Sequence, residues 1–378
     1  MSIETKISGS CSEGFELVAD EFRRNFSERG DIGAACSIVI DGQVLVDIWG
    51  GYKNQKQEEE WARDTVANIW STSKGVTAAC IAILVDRGLL AYDEKVAHYW
   101  PEFASAGKAE ITLAMLLSHQ AGLAGFREPT SLEDLFDQTK AASRLANMEP
   151  LWEPGSQSGY HAITMGHLLN EIVTRVTGQS LGQFARDELQ AFDYSVGLPF
   201  DRSLMAAALS ASPALGSADL VTELSPIQIA ALANPVLDPL APETEAWRSA
   251  EIPSANGFAT ARGLADLYGQ LAVGGGKLMR SQTIEAATTV QISGIDAVLE
   301  VEANWSCGFL RNSLDIYGPN KRSFGHSGWG GSFAFADPDL KMGMSYVMNR
   351  MGTDLVGDPR AMCLINAAYQ CVANFATS

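Results

Sequence analysis

The pattern of apolar and polar positions divides the chain into three stretches of different texture. Near the amino end, an amphipathic pattern over residues 15–28 predicts a surface helix. Two β-rich runs follow, 35–40 and 43–49, separated by Asp41-Gly42, a dipeptide that favours a tight hairpin turn. The charged segment 53–63 reads as an exposed loop. Next, Val76, Ala79, Cys80, Ile83 and Leu84 recur at helical spacing and the run stops at Gly88, which predicts a buried helix over 76–85.

From Asp93 to about Asn256 helical patterns dominate, over 112–118, 131–147, 162–177, 181–192 and 226–233. The loops between them are rich in proline and glycine, and two segments, 196–213 and 236–252, show no clear period. After Gly257 another helix is expected over 259–272, with Thr260 as its cap. The last quarter turns β-rich over 306–311, 322–326, 332–336 and 342–348, with Asp337-Pro338-Asp339 as a turn. A final amphipathic helix is expected over 359–375. An early hairpin and late strands, separated by helices, predict one antiparallel sheet assembled from both ends of the chain, an α+β arrangement. The first and last helices would flank the sheet. The expected division is a discontinuous α/β domain, 1–92 and 257–378, and a mostly helical domain, 93–256, with a cleft between them.

Composition narrows the function. At 378 residues and 46% hydrophobic, the chain can bury a substantial core. A net charge of −18 argues against nucleic-acid partners and anionic membrane surfaces. No stretch reaches the length of a transmembrane helix, and Met1–Lys6 lacks the apolar core of a secretory signal, so a cytoplasmic location is expected. The six cysteines are scattered without a Cys-x-x-Cys pair, and the five histidines have no ligand spacing. No metal and no other cofactor is therefore expected. The sequence carries no signal for oligomeric state.

Candidate chemistry begins at Ser71, which stands at the amino end of the 76–85 helix with Lys74 one turn on and on the same face. A serine becomes a nucleophile beside a base, and a helix amino end offers free N–H groups to a developing oxyanion. The spacing alone is weak, since a chain of this length holds about one such pair by chance. Ser105 and Lys108 repeat it in a short polar stretch that reads as a solvated loop. Three other stretches support Ser71. Tyr160 follows the loop Trp152-Glu153-Pro154-Gly155 and opens a helix; flanked by lysine, its phenolate is expected below the ordinary value of about 10, ready to act as a base. Gly325-His326-Ser327-Gly328-Trp329-Gly330-Gly331 lets a strand pass close to a substrate and expose an N–H. The third is the run from Ile111 to Leu123.

In this order and at these separations, the stretches resemble the class C β-lactamase superfamily, and within it the family VIII carboxylesterases. The resemblance runs from about Ala35 to Asn349 and implies a β-lactamase/transpeptidase-like fold. It makes Ser71 the acylated nucleophile, Lys74 the holder of its hydrogen-bond network, and Tyr160 the proton acceptor and later donor. Sequence leaves open which of Lys74 and Tyr160 takes the serine proton. His326, Ser327 and Gly328 fall on the family's Lys-Thr-Gly strand motif, and the N–H groups of Ser71 and Trp329 would form the oxyanion hole. Two departures stand out. Ala162 replaces the asparagine of the Tyr-x-Asn motif, and His326 replaces the lysine that engages a substrate carboxylate. Both favour a small, less charged substrate. The expected function is hydrolysis of short acyl esters. Alternatives are an acyltransferase, an amide hydrolase, a weak β-lactamase, or a non-catalytic acyl or peptide binder; the intact Ser-Lys-Tyr set argues against the last. His119 is expected to be structural, and His98, His161 and His167 have no assigned role. Trp70, Trp152, Phe258 and Trp329 are candidates for an apolar acyl pocket or for plain core packing.

Overall fold

The computed structural model describes residues 5–211 and 224–375. The end of the 196–213 segment and most of the polar amino terminus lie outside them. The strands are β1 (Ile7–Cys11), β2 (Gly33–Ile40), β3 (Gln43–Gly51), β4 (Ala67–Asn68), β5 (Tyr194–Val196), β6 (Gly257–Ala259), β7 (Ile292–Ile295), β8 (Glu302–Trp305), β9 (Leu310–Arg311), β10 (Phe324–Ser327), β11 (Phe333–Asp337) and β12 (Met342–Met348). Nine of them form one antiparallel sheet in the order β1-β3-β2-β12-β11-β10-β9-β8-β7. The two chain ends meet at the β2–β12 pairing, where Ala34 faces Met348 and Ile40 faces Met342. The β2–β3 hairpin turns on Asp41 at φ +48° and Gly42 at φ +77°, the left-handed pair that a two-residue turn needs.

Five helices position the site: α1 (Glu16–Glu28), α2 (Ser73–Asp86), α3 (Thr164–Thr177), α4 (Ala261–Ala272) and α5 (Pro359–Phe375). Helices α1 and α5 pack against each other, and with one face of the sheet they form one core around Phe22, Ile38, Tyr346 and Leu364. The opposite face receives α4, which lies on β2, β11 and β12. Helix α2 sits beyond, in a second core with α3 and the other helices of the middle stretch. Every residue from Ser73 to Leu84 is buried, so α2 has no solvent stripe, as an axial helix requires. Thr260 caps α4 by accepting from the Gly263 amide.

Several elements differ from the periodicity. The 131–147 pattern breaks at Asp137 into Leu132–Phe136 and Gln138–Asn147, because the Asp137 carboxylate leaves the helix to cap the second piece at Lys140 N. Of the 306–311 run only Leu310–Arg311 pairs as a strand. Strands β1, β7 and β8 carry no strong alternation, being at or near the sheet edges. The three-stranded sheet β4-β6-β5 is built from pieces too short to show a period. The Ser105–Lys108 stretch is an exposed turn at Ser105, Ala106 and Gly107, as expected, but its lysine is not solvated. Lys108 is buried, with Nζ donating to the carbonyls of Ser105 (2.8 Å) and Met148 (2.6 Å), while Ser105 Oγ donates to Ala146. That lysine is a buried brace between loops, and its serine faces a carbonyl.

Candidate active site

Ser71 lies in a single tight turn, Trp70–Thr72, that feeds directly into α2. Trp70 adopts φ +46°, a left-handed conformation that costs a bulky residue about 1–2 kcal/mol. Its indole is held between Trp247 (5.1 Å between ring centroids) and Trp329 (5.0 Å), and this packing offsets the strain. The short pairing of Asn68 with Phe258, and the Ile69 N–H to Gly257 carbonyl bond of 2.9 Å, fix the turn from below. The nucleophile candidate is thus presented by backbone geometry that no helical period encodes.

Lys74 is fully buried, and its Nζ has three oxygen neighbours: Ala162 O at 2.6 Å, Ser254 O at 2.9 Å and Ser71 Oγ at 3.1 Å. Burial holds its pKa well below the ordinary lysine value, because no carboxylate offsets the lost hydration of an ammonium. A neutral amine has two N–H bonds and one lone pair. Two of the three neighbours are carbonyls, which can only accept. In the uncharged form they take both N–H bonds and leave the lone pair toward the Ser71 hydroxyl.

Tyr160 is 5% exposed, with its ring centroid 4.7 Å from Lys74 Nζ. Its pKa is raised, not lowered as the sequence suggested; burial is the main cause, and an interaction with the Ser71 hydroxyl pulls weakly the other way. The physical reason is that burial strips away the water that would hydrate a phenolate, and the Ser71 hydroxyl makes up only part of that loss. Trp305 stacks on the ring at 5.8 Å. Two neutral histidines hold the peptide on either side. His119 accepts the His161 N–H at Nδ1 (3.1 Å) and the Gly159 N–H at its carbonyl (3.0 Å). His161 donates from Nδ1 to Gly159 O (2.6 Å) and accepts the Leu123 N–H at Nε2 (3.1 Å). His161, unassigned from sequence, is therefore part of the support of Tyr160, and His119 serves a structural purpose there.

The glycine-rich turn after β10 is stitched to the Ser71 turn. Ser332 Oγ donates to Ile69 O (2.9 Å) and bonds Thr72 Oγ1 (3.0 Å), and Gly328 packs so closely that a Cβ would stand 2.2 Å from Ile69 O. The amides of Gly328, Gly330 and Gly331 are all bonded within this region. Among the described residues, those of Trp329 and Ser71 have no protein acceptor. His326 is 3% exposed; Nδ1 donates to Ser327 O (2.8 Å), and burial beside Lys74 pushes its pKa down to about 3. The ring is therefore neutral at physiological pH and offers no charge to a carboxylate. Among the described residues no group of three or more His, Cys, Asp or Glu side chains is placed to hold a metal, and no helix is long and apolar enough to cross a membrane.

A nine-stranded antiparallel sheet, an axial helix and a Ser-x-x-Lys turn facing a tyrosine define a β-lactamase/transpeptidase-like fold. Residues 22–367 match the Beta-lactamase family, and the chain belongs to it. A solved family VIII carboxylesterase superposes with TM-score 0.92 at 41% identity, covering 97% of this chain and all of that one. A penicillin-binding protein homologue from Caulobacter crescentus gives 0.91 at 43% identity, with 97% and 100% coverage. Among curated relatives, the esterase/beta-lactamase LipL of Mycobacterium tuberculosis is 33% identical over 379 residues, 93% of this chain and 85% of that protein.

Proposed function

We propose that this chain is a serine hydrolase that cleaves small carboxylic esters through an acyl-enzyme on Ser71. The observation that carries the reading is Lys74 Nζ, fully buried, held by two carbonyls and 3.1 Å from Ser71 Oγ, where burial favours the uncharged amine. Its lone pair takes the Ser71 proton as Oγ bonds to the ester carbonyl carbon. The carbonyl oxygen becomes an oxyanion between the amides of Ser71 and Trp329. Collapse breaks the bond to the alkoxide, which takes a proton from the Tyr160 hydroxyl; the Lys74 ammonium returns one to the phenolate. Water then attacks the acyl-enzyme, gives its proton to Lys74 and releases the acid, and Ser71 Oγ regains the proton from the ammonium.

Ester specificity rests on two further features. Position 162 presents a methyl group and lends its carbonyl to Lys74, so no side-chain amide is there to hold a substrate amide. His326 is neutral and cannot pair with a carboxylate. The carboxylesterase neighbour and the LipL relative support the same substrate class. LipL's description also names a β-lactamase, so β-lactam turnover is the second reading. Wild type and Ser71→Ala are compared on a chromogenic short-chain ester, a chromogenic cephalosporin and a D-amino-acid peptide. Ester turnover that vanishes in Ser71→Ala, with a fluorophosphonate label mapping to Ser71, is the expected result. Turnover that survives the substitution refutes the mechanism, and preference for the cephalosporin selects the second reading.

A further inference from the structure

Asp296 lies in the turn between β7 and β8, at the far edge of the large sheet, and its carboxylate is completely buried. Buried carboxylates are rare and costly unless their lone pairs are filled. Here Oδ1 accepts the main-chain N–H of Tyr160 (2.9 Å), Val298 (3.0 Å) and Leu299 (3.0 Å), and Oδ2 accepts the Trp305 indole N–H (3.0 Å). All four partners are donors, which suits a group that only accepts. Two of the four belong to the site. The Tyr160 amide fixes the backbone from which the phenol projects, and the Trp305 indole is the ring stacked on that phenol at 5.8 Å and 12°. The same turn is tied again by the Ala297 N–H to Ser158 O (2.9 Å).

From this geometry we infer that Asp296 is a positioning residue for Tyr160. It orients the phenol toward Ser71 by holding both the tyrosine's own peptide and the wall its ring rests on. The histidines grip the flanking residues 159 and 161, whereas Asp296 alone bonds the amide of residue 160 itself. This rests on the proposed part of Tyr160 as proton donor in the Ser71 chemistry. A tyrosine that merely packed in the core would not need its amide fixed by a buried carboxylate from a distant hairpin.

The test is a double-mutant cycle on the full chain, with kcat and KM measured for a chromogenic short-chain ester in wild type, Asp296→Asn, Tyr160→Phe and the double variant. Asparagine keeps the size and the Oδ1 acceptor but sets an NH₂ against the Trp305 N–H. A displacement near 1 Å at a catalytic group costs about 10²-fold, so kcat should fall by roughly that factor with KM little changed. In the Tyr160→Phe background the same change should add almost nothing, because residues acting through one group are not additive. A folded Asp296→Asn variant with wild-type kcat overturns the inference. So does an equal loss in both backgrounds, which is what plain destabilisation produces. Should Asp296→Asn not fold, Asp296→Glu, which keeps the charge and shifts the carboxylate by one methylene, is judged by the same non-additivity. Wild-type turnover indifferent to Ser71→Ala or Tyr160→Phe would instead remove the reading of the site itself.

Discussion

Replacing Gly328 by alanine tests the alignment of the oxyanion donors with a single methyl group. The new Cβ would stand 2.2 Å from Ile69 O, 2.4 Å from Ser332 Oγ and 2.9 Å from Thr72 Oγ1. The nearest obstacle is a main-chain oxygen, so no side-chain rotation relieves it. Restoring ordinary contact requires the Gly328 and Ser71 turns to part by about 1 Å, since close-packed interiors have no slack to absorb it. The Trp329 amide is the next in the chain and retreats with its turn. A hydrogen bond near 2.9 Å stretched by that distance is lost. Loss of one oxyanion donor lowers kcat by about 10²–10³-fold, and the general cost of a 1 Å misplacement is of the same order, about 10². We therefore expect kcat to fall about 10²-fold, KM to change little, and stability to drop by about 1–3 kcal/mol from overpacking. Steady-state hydrolysis of a chromogenic ester, with thermal melts run in parallel, reads both. A folded Gly328→Ala variant whose kcat stays within about threefold of wild type would refute the placement of the Trp329 amide in the oxyanion hole.

Three other outcomes follow from the same geometry. Lys74→Met should lower kcat/KM by about 10²–10⁴-fold; in wild type the rate should fall as pH drops through protonation of the Lys74 amine, since only the uncharged form has a lone pair for Ser71. A pH–rate profile with no acid limb would count against the amine as base. Burial holds His161 down to about 4, below the unfolded value near 6.5, so the unfolded chain binds the extra proton between these values. Its share of stability is present above pH ~6.5 and is lost as pH falls to ~4, by about 3 kcal/mol in all; denaturant melts should show this slope, reduced in His161→Gln. Tyr268 presents a buried hydroxyl with no partner among the described residues, and a Cβ at Gly75 would stand 1.9 Å from it. Tyr268→Phe should therefore stabilise by about 1 kcal/mol and rescue part of the loss in Gly75→Ala; a lower melting temperature in Tyr268→Phe contradicts this account.

Long periodic elements were legible before any coordinates. The runs over α2, α4, α5 and β12 match the structure closely because each buries one continuous face or is buried all round. The hairpin was visible because Asp41-Gly42 carries its own backbone preference. Strands β4, β5 and β6 are two or three residues long and exist only because the Ser71 turn, a loop and Gly257 are brought together. The left-handed Trp70 had no local signal, since it is set by the packing of Trp247 and Trp329 from distant parts of the chain.

By itself the sequence determined which groups could meet: Ser71 and Lys74 one helical turn apart, a tyrosine in the loop shortly before α3, and glycines that allow a close-passing turn. These are properties of spacing and residue type, local enough to survive without a fold. Their protonation was decided only by tertiary structure. A lysine beside a tyrosine suggests an ammonium and a lowered phenol pKa. Burial of both works the other way, lowering the pKa of an amine clasped by Ala162 O and Ser254 O and raising that of the phenol. Desolvation depends on everything packed around a group, and carbonyls 88 and 180 residues away along the chain cannot be read from a three-residue spacing.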